Sequence, residues 1–129
     1  MYLKNAIDGF ILARTAEGVS PYTVKIYQWG LCRFMNYFDN HDINQITQND
    51  IRSYFHHLQT TTHLPPESLK MALRTIHAFY SWAEIEINVN RPDKVIRLAP
   101  SNAKDIFPYT QDEIKSLIKA CEYTATSQV

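Results

Sequence analysis

The stretch "GVSPYTVKIYQWGLCRFMNYF", Gly18 to Phe38, sets the architecture of the chain. It reads as the end of one helix and the capped start of another. Gly18 stands just past a helix C-terminus, Ser20 offers a capping hydroxyl, and Pro21 lies in the first turn, where its missing N–H costs nothing. At about 100° per residue, Val24, Tyr27, Leu31, Phe34, Met35 and Phe38 share one side, the expected core face. Almost opposite runs a second stripe, Tyr22, Ile26, Trp29 and Arg33. Between the two lies a polar lane of Lys25, Gln28, Cys32 and Asn36. The second stripe is expected to pack on another helix, and the lane to be wet.

On the N-terminal side of this stretch, Leu3, Ile7, Phe10 and Ile11 share a face of a first helix expected from about Leu3 to Glu17. Downstream, "DNHDINQI" reads as a connecting loop. Thr47 and Asp50 form a capping box for a third helix, whose Ile51, Tyr54, Phe55 and Leu58 fall together. Pro65 and Pro66 open a fourth helix expected to reach Ala83 or Glu84. Its apolar face is Leu69, Ala72, Leu73, Ile76, Phe79, Tyr80 and Ala83. Beyond it the helical period fails. A short turn of structure is followed by a linker at 100–109, and Thr110 with Glu113 caps a last amphipathic helix at 110–129. The domain boundaries are therefore read as 1–99, 100–109 and 110–129.

Composition narrows the function classes. The 129 residues suffice for one ordinary core, and 45% apolar with 20% charged is the balance of a soluble globular chain. Three glycines are too few for a turn-rich β fold, and no apolar run nears the roughly 18 residues of a membrane span. The N-terminus lacks a signal layout, so a cytoplasmic location without membrane attachment is expected. Cys32 and Cys121 stand far apart without paired spacing, and are expected as two reduced thiols packed as small apolar groups. The five histidines lack ligand spacing, so neither metal nor other cofactor is expected. No phosphate-cradling glycine loop, nucleophile elbow or H-E-x-x-H motif is present, and no small-molecule substrate is expected.

Thirteen basic residues balance thirteen acidic ones, so any case for a nucleic-acid partner rests on where the charges lie. On the fourth helix, Lys70, Arg74, His77 and Ser81 form one stripe opposite the apolar face, with Glu67 and Glu84 only at its ends. A solvated face normally mixes signs; an unmixed stripe fits phosphates and base edges in a major groove. From Ile85 to Lys104, four basic residues (Arg91, Lys94, Arg97, Lys104) outnumber two acidic ones (Glu86, Asp93), as in a tether that tracks a charged backbone.

In order and spacing these segments resemble the N-terminal half of the tyrosine recombinases, the phage-integrase family. "SPYTVKIYQWGLCRFMNYF" resembles the family's opening S-x-x-T-hydrophobic-x-x-Y-x-x-x-L-x-x-F. "ITQNDIRSYFHHL" and "SLKMALRTIHAFYSWA" resemble its third and fourth helices. "NVNRPDKVIRLAP" resembles the crossing into the linker, with Arg91 splitting the usual Asn-Pro pair and Ser101 where a basic residue is common. "FPYTQDEIKSLIKAC" is similar to the start of the catalytic domain. The resemblance implies an all-α fold: a four-helix SAM-like core-binding bundle, a linker, and one stub helix of a truncated catalytic domain. It implies double-stranded DNA as partner, held by a clamp of which this domain is one arm. By position, the DNA-binding residues would be Thr23, Lys25 and Gln28 on the second helix and Ser68, Lys70, Arg74 and His77 on the fourth; Arg97 and Lys104 are added as DNA-binding candidates on the charge of the tether. The first helix would serve self-association on DNA. The family's catalytic residues lie in the domain that this chain barely enters, so the fragment is expected to cut no DNA. The competing class is a helical protein-interaction module, binding through Tyr22, Ile26 and Trp29, with the final helix as a further contact.

Overall fold

The computed structural model describes residues 1–98; the expected linker and final helix lie outside the described residues. Four α-helices are described, α1 (Leu3–Ala16), α2 (Pro21–Phe38), α3 (Gln48–Thr60) and α4 (Pro66–Glu86). A 3₁₀ turn, Ile43–Gln45, sits in the loop before α3. The end of α1 and the starts of α2 and α3 follow from their local sequence. Gly18 takes φ +84° after α1, a conformation that an added Cβ would strain. Ser20 Oγ accepts from the Thr23 N–H at the start of α2. At α3 both halves of the capping box form: the Thr47 N–H donates to Asp50 Oδ2 (2.8 Å) and the Asp50 N–H to Thr47 Oγ1 (3.2 Å). The start of α1 has no side-chain cap of its own. Its free amides are met from the loop after α2, Leu3 N–H donating to the His41 carbonyl and Lys4 N–H to Asn40 Oδ1. That places α1 antiparallel to α2.

Aromatic rings fill the core in two groups. Phe10 of α1 meets Tyr27 of α2 at 5.2 Å and Phe79 and Trp82 of α4 at 5.7 and 5.8 Å. Phe34 of α2 meets Tyr54 of α3 at 5.2 Å and Tyr80 of α4 at 6.3 Å. Tilted and edge-on pairs at these separations add to plain burial. Between the groups α2 and α4 touch backbone to side chain: a Cβ on Gly30 would lie 3.0 Å from Thr75 Cγ2.

This contact bears out the expectation that the second stripe packs on another helix, and it corrects the expected core face of α2. Ile26 and Trp29, which periodicity sets apart as a second stripe, are 6% and 2% exposed, as deep in the core as Leu31 and Phe34. Val24, Tyr27, Met35 and Phe38, on the expected core face, are only half-buried. The stripes are one wide arc joined through Gly30 and Phe34. Because Gly30 has no side chain, it does not register as apolar in a periodicity count, yet it lets α4 settle over the gap. Arg33 lies over the Trp29 ring at 5.6 Å, which satisfies its charge at the arc's edge. The cysteine expectation also fails at Cys32, which is disulfide-bonded. Spacing carries no such information, since pairing depends on how closely the fold brings Cα atoms together. Cys121 lies outside the described residues.

The segment after α4 belongs to the bundle as far as it is described. Asn88 adopts a left-handed φ of 55° that turns the chain back, and Val89 and Ile96 are buried. No helix among the described residues is long and apolar enough to cross a membrane.

Candidate nucleic-acid interface

On α2, the lane Lys25 and Gln28 lies on the side away from the buried arc, and both are half-buried. Thr23 is part of the cap: Ser20 Oγ donates to its hydroxyl oxygen at 2.9 Å, and its own N–H donates back to Ser20 Oγ at 3.3 Å. On α4, Arg74 is exposed, with Nη1 3.9 Å from Met71 Sδ, and Lys70 is half-buried. Arg97, after α4, is exposed, and Lys104 lies outside the described residues.

Two of the sequence-derived positions are placed otherwise than expected. Ser68 is wholly buried, with no hydrogen-bond partner for its hydroxyl among the described residues, so it presents nothing to a duplex. The reason is the width of α4's buried arc. Thr75 facing Gly30 turns the Ser68 edge inward, whereas the apolar count alone puts it at the rim. His77 remains on the outer half of α4 with its side chain one-third exposed, but it is not simply wet. Its Nδ1 is 2.6 Å from Oδ2 of Asp93, a carboxylate with no exposed surface.

Asp93 is held in turn by Arg91, whose Nη2 donates to Oδ2 at 2.9 Å and Nε to Oδ1 at 3.4 Å. The same guanidinium reaches the His77 carbonyl at 3.5 Å. The Asp93 hydrogen bond holds the Arg91 guanidinium above its ordinary value; burial opposes this, and the charges of Asp93 and Glu84 add to it. A buried carboxylate needs such company, since an unpaired one costs several kcal/mol. In the sequence, Arg91 and Asp93 count only as opposite charges in a tether. Their i, i+2 spacing around Pro92 is the available signal, but nothing in the sequence says that a helix turns up beside it. Arg91, the departure from the family's Asn-Pro pair, thus has a structural task.

Sequence reasoning also passes over an open groove on the outer side of α3, walled by Tyr37, Arg52, His56 and His57. The Tyr37 and His57 rings are 5.0 Å apart, and no acidic side chain lines the groove. Among the described residues, no group of three or more His, Cys, Asp or Glu could hold a metal ion.

Comparison with known families gives one match, to the model described as phage integrase, N-terminal SAM-like domain, over residues 7–86. No curated protein and no solved structure gives a match.

Proposed function

As the chain belongs to the phage integrase N-terminal SAM-like domain family, we propose that it is the DNA-binding arm of a site-specific tyrosine recombinase, acting in the cytoplasm and holding duplex DNA for integration or recombination. The observation that carries this reading is the outer face of α4, where Lys70 and Arg74 stand one turn apart on the side away from the core, with acids only at the helix ends. The α2 lane of Lys25 and Gln28 supplies a second outward-facing set, and Arg97 extends the positive surface past α4. Long cationic side chains on a helix face suit backbone phosphates, while amide and imidazole groups suit base edges. Strand cleavage belongs, in this reading, to a separate catalytic domain.

The competing protein-interaction reading loses Ile26 and Trp29, which are in the core, while Tyr22 is half-buried and the final helix lies outside the described residues. What α1 does present is Leu12, 70% exposed, which fits contact with a second copy on the same DNA. The test is a duplex titration across salt concentrations with the Lys70→Ala/Arg74→Ala double variant. Removing two cations that each neutralise a phosphate should lower the slope of log K against log salt by about 1.8. Steepening of the wild-type isotherm with longer duplexes would report the α1 contact. An unchanged affinity and slope in the double variant would refute the α4 assignment.

A further inference from the structure

The best-defined polar cluster is Arg91–Asp93–His77, and its chemistry fixes more than the chain's path. Asp93 has no exposed surface and already accepts two hydrogen bonds from Arg91. A carboxylate in that position has no hydrogen to give, so the 2.6 Å contact requires His77 Nδ1 to carry the proton. In a neutral imidazole protonated at Nδ1, the other nitrogen, Nε2, is an acceptor. Nε2 is at the tip of the ring, farthest from the helix backbone, and among the described residues it makes no hydrogen bond. The ring is one-third exposed and shares the outer half of α4 with Lys70 and Arg74.

We infer that Asp93, itself positioned by Arg91, locks His77 in the Nδ1-protonated tautomer, and that His77 thereby becomes a specificity-determining residue whose Nε2 accepts from a base-edge amino group in the major groove. The inference rests on the DNA-binding reading above. Phosphates offer no donor, so an acceptor on this stripe cannot serve the backbone. The major-groove donors are cytosine N4 and adenine N6; guanine and thymine present acceptors there. The division of labour on α4 is then explicit: Lys70 and Arg74 hold the backbone without regard to sequence, and His77 reads one base.

Two measurements on the full chain test this. In a long-range ¹H–¹⁵N correlation spectrum of histidine-labelled protein, His77 should show a protonated Nδ1 and an unprotonated Nε2. The opposite tautomer would overturn the lock. Binding sites are then selected from a randomised duplex pool with wild type and with His77→Phe, which keeps the ring's bulk and leaves the Arg91–Asp93 pair in place. Thermal melting confirms that the variant folds. Wild type should prefer C or A at one position by about 2- to 10-fold, and His77→Phe should lose that preference with its salt slope unchanged. Unchanged base preferences overturn the inference, whether or not the salt slope falls. A wild-type chain that binds no duplex refutes the DNA-binding reading and the base contact with it, while the tautomer spectrum still reports separately on the Asp93 lock.

Discussion

Tyr54 and Tyr80 each bury a hydroxyl that has no hydrogen-bond partner among the described residues. Burial pushes the Tyr54 phenol up, with the nearby Arg33 opposing weakly. At Tyr80 burial acts first, and the negative charges of Asp93 and Asp50 add to it. The pH consequence has a definite sign. Up to about pH 10, both folded and unfolded chains keep these protons. Above that, the unfolded chain releases them while the native state retains them, so stability falls as pH rises, by up to about 1.4 kcal/mol per pH unit for each tyrosine. Replacing Tyr54 by Phe should change stability by no more than about 1 kcal/mol at neutral pH, because the hydroxyl forfeits its bonds to water on folding. The same change should flatten the alkaline loss. Urea unfolding between pH 8 and pH 11 checks this; an alkaline slope equal to that of wild type would contradict it.

Among the helices, the crossing of α2 and α4 depends on Gly30. Thr75 Cγ2, Cβ and Oγ1 would lie 3.0, 3.2 and 3.3 Å from a new Cβ. Thr75 is buried and branched at Cβ on a helix, so it has little rotamer freedom with which to yield. Gly30→Ala therefore meets overpacking of about 1–3 kcal/mol, against a gain in helix propensity of about 1 kcal/mol. The net expectation is a loss of about 1 kcal/mol. In a Thr75→Ala background the clash is gone and the same substitution should stabilise. Denaturant unfolding of the four-member cycle tests that change of sign; additive effects would mean that the helices do not meet here. The ends of the same elements are legible without tertiary information. Ser20 and the Thr47–Asp50 box act within one turn of chain, and their residue types suffice to place them. The start of α1 is not legible in this way, because its caps come from Asn40 and His41, far along the chain.

The described fold as a whole does not end with α4. Val89 and Ile96 are 4% and 5% exposed, Asp93 is fully buried, and the His77 bond ties the returning segment to the helix. The family match stops at residue 86, short of this segment. A chain ending at Glu86 should therefore melt at least about 5 °C below one ending at Leu98, equivalent to about 1 kcal/mol in a domain of this size. Equal melting temperatures would show that residues 87–98 add nothing to the core. The same segment carries Arg97 on its exposed side, so its attachment also fixes where a positive charge stands relative to α4.

The number and order of the four helices, the caps that open α2 and α3, and the basic outer stripe of α4 can be read from the order of amino acids alone. Each of these is set by residues within a turn or two of one another, where a period of 3.6 and a capping hydroxyl leave a direct trace. Packing was needed to show that the two stripes of α2 are one buried arc, that Ser68 faces inward, and that His77 answers to Asp93 and Arg91. Those outcomes depend on which surfaces meet: a glycine marks a close approach only when the opposing helix is known, and a charge counts as buried only when its partners arrive from another part of the chain.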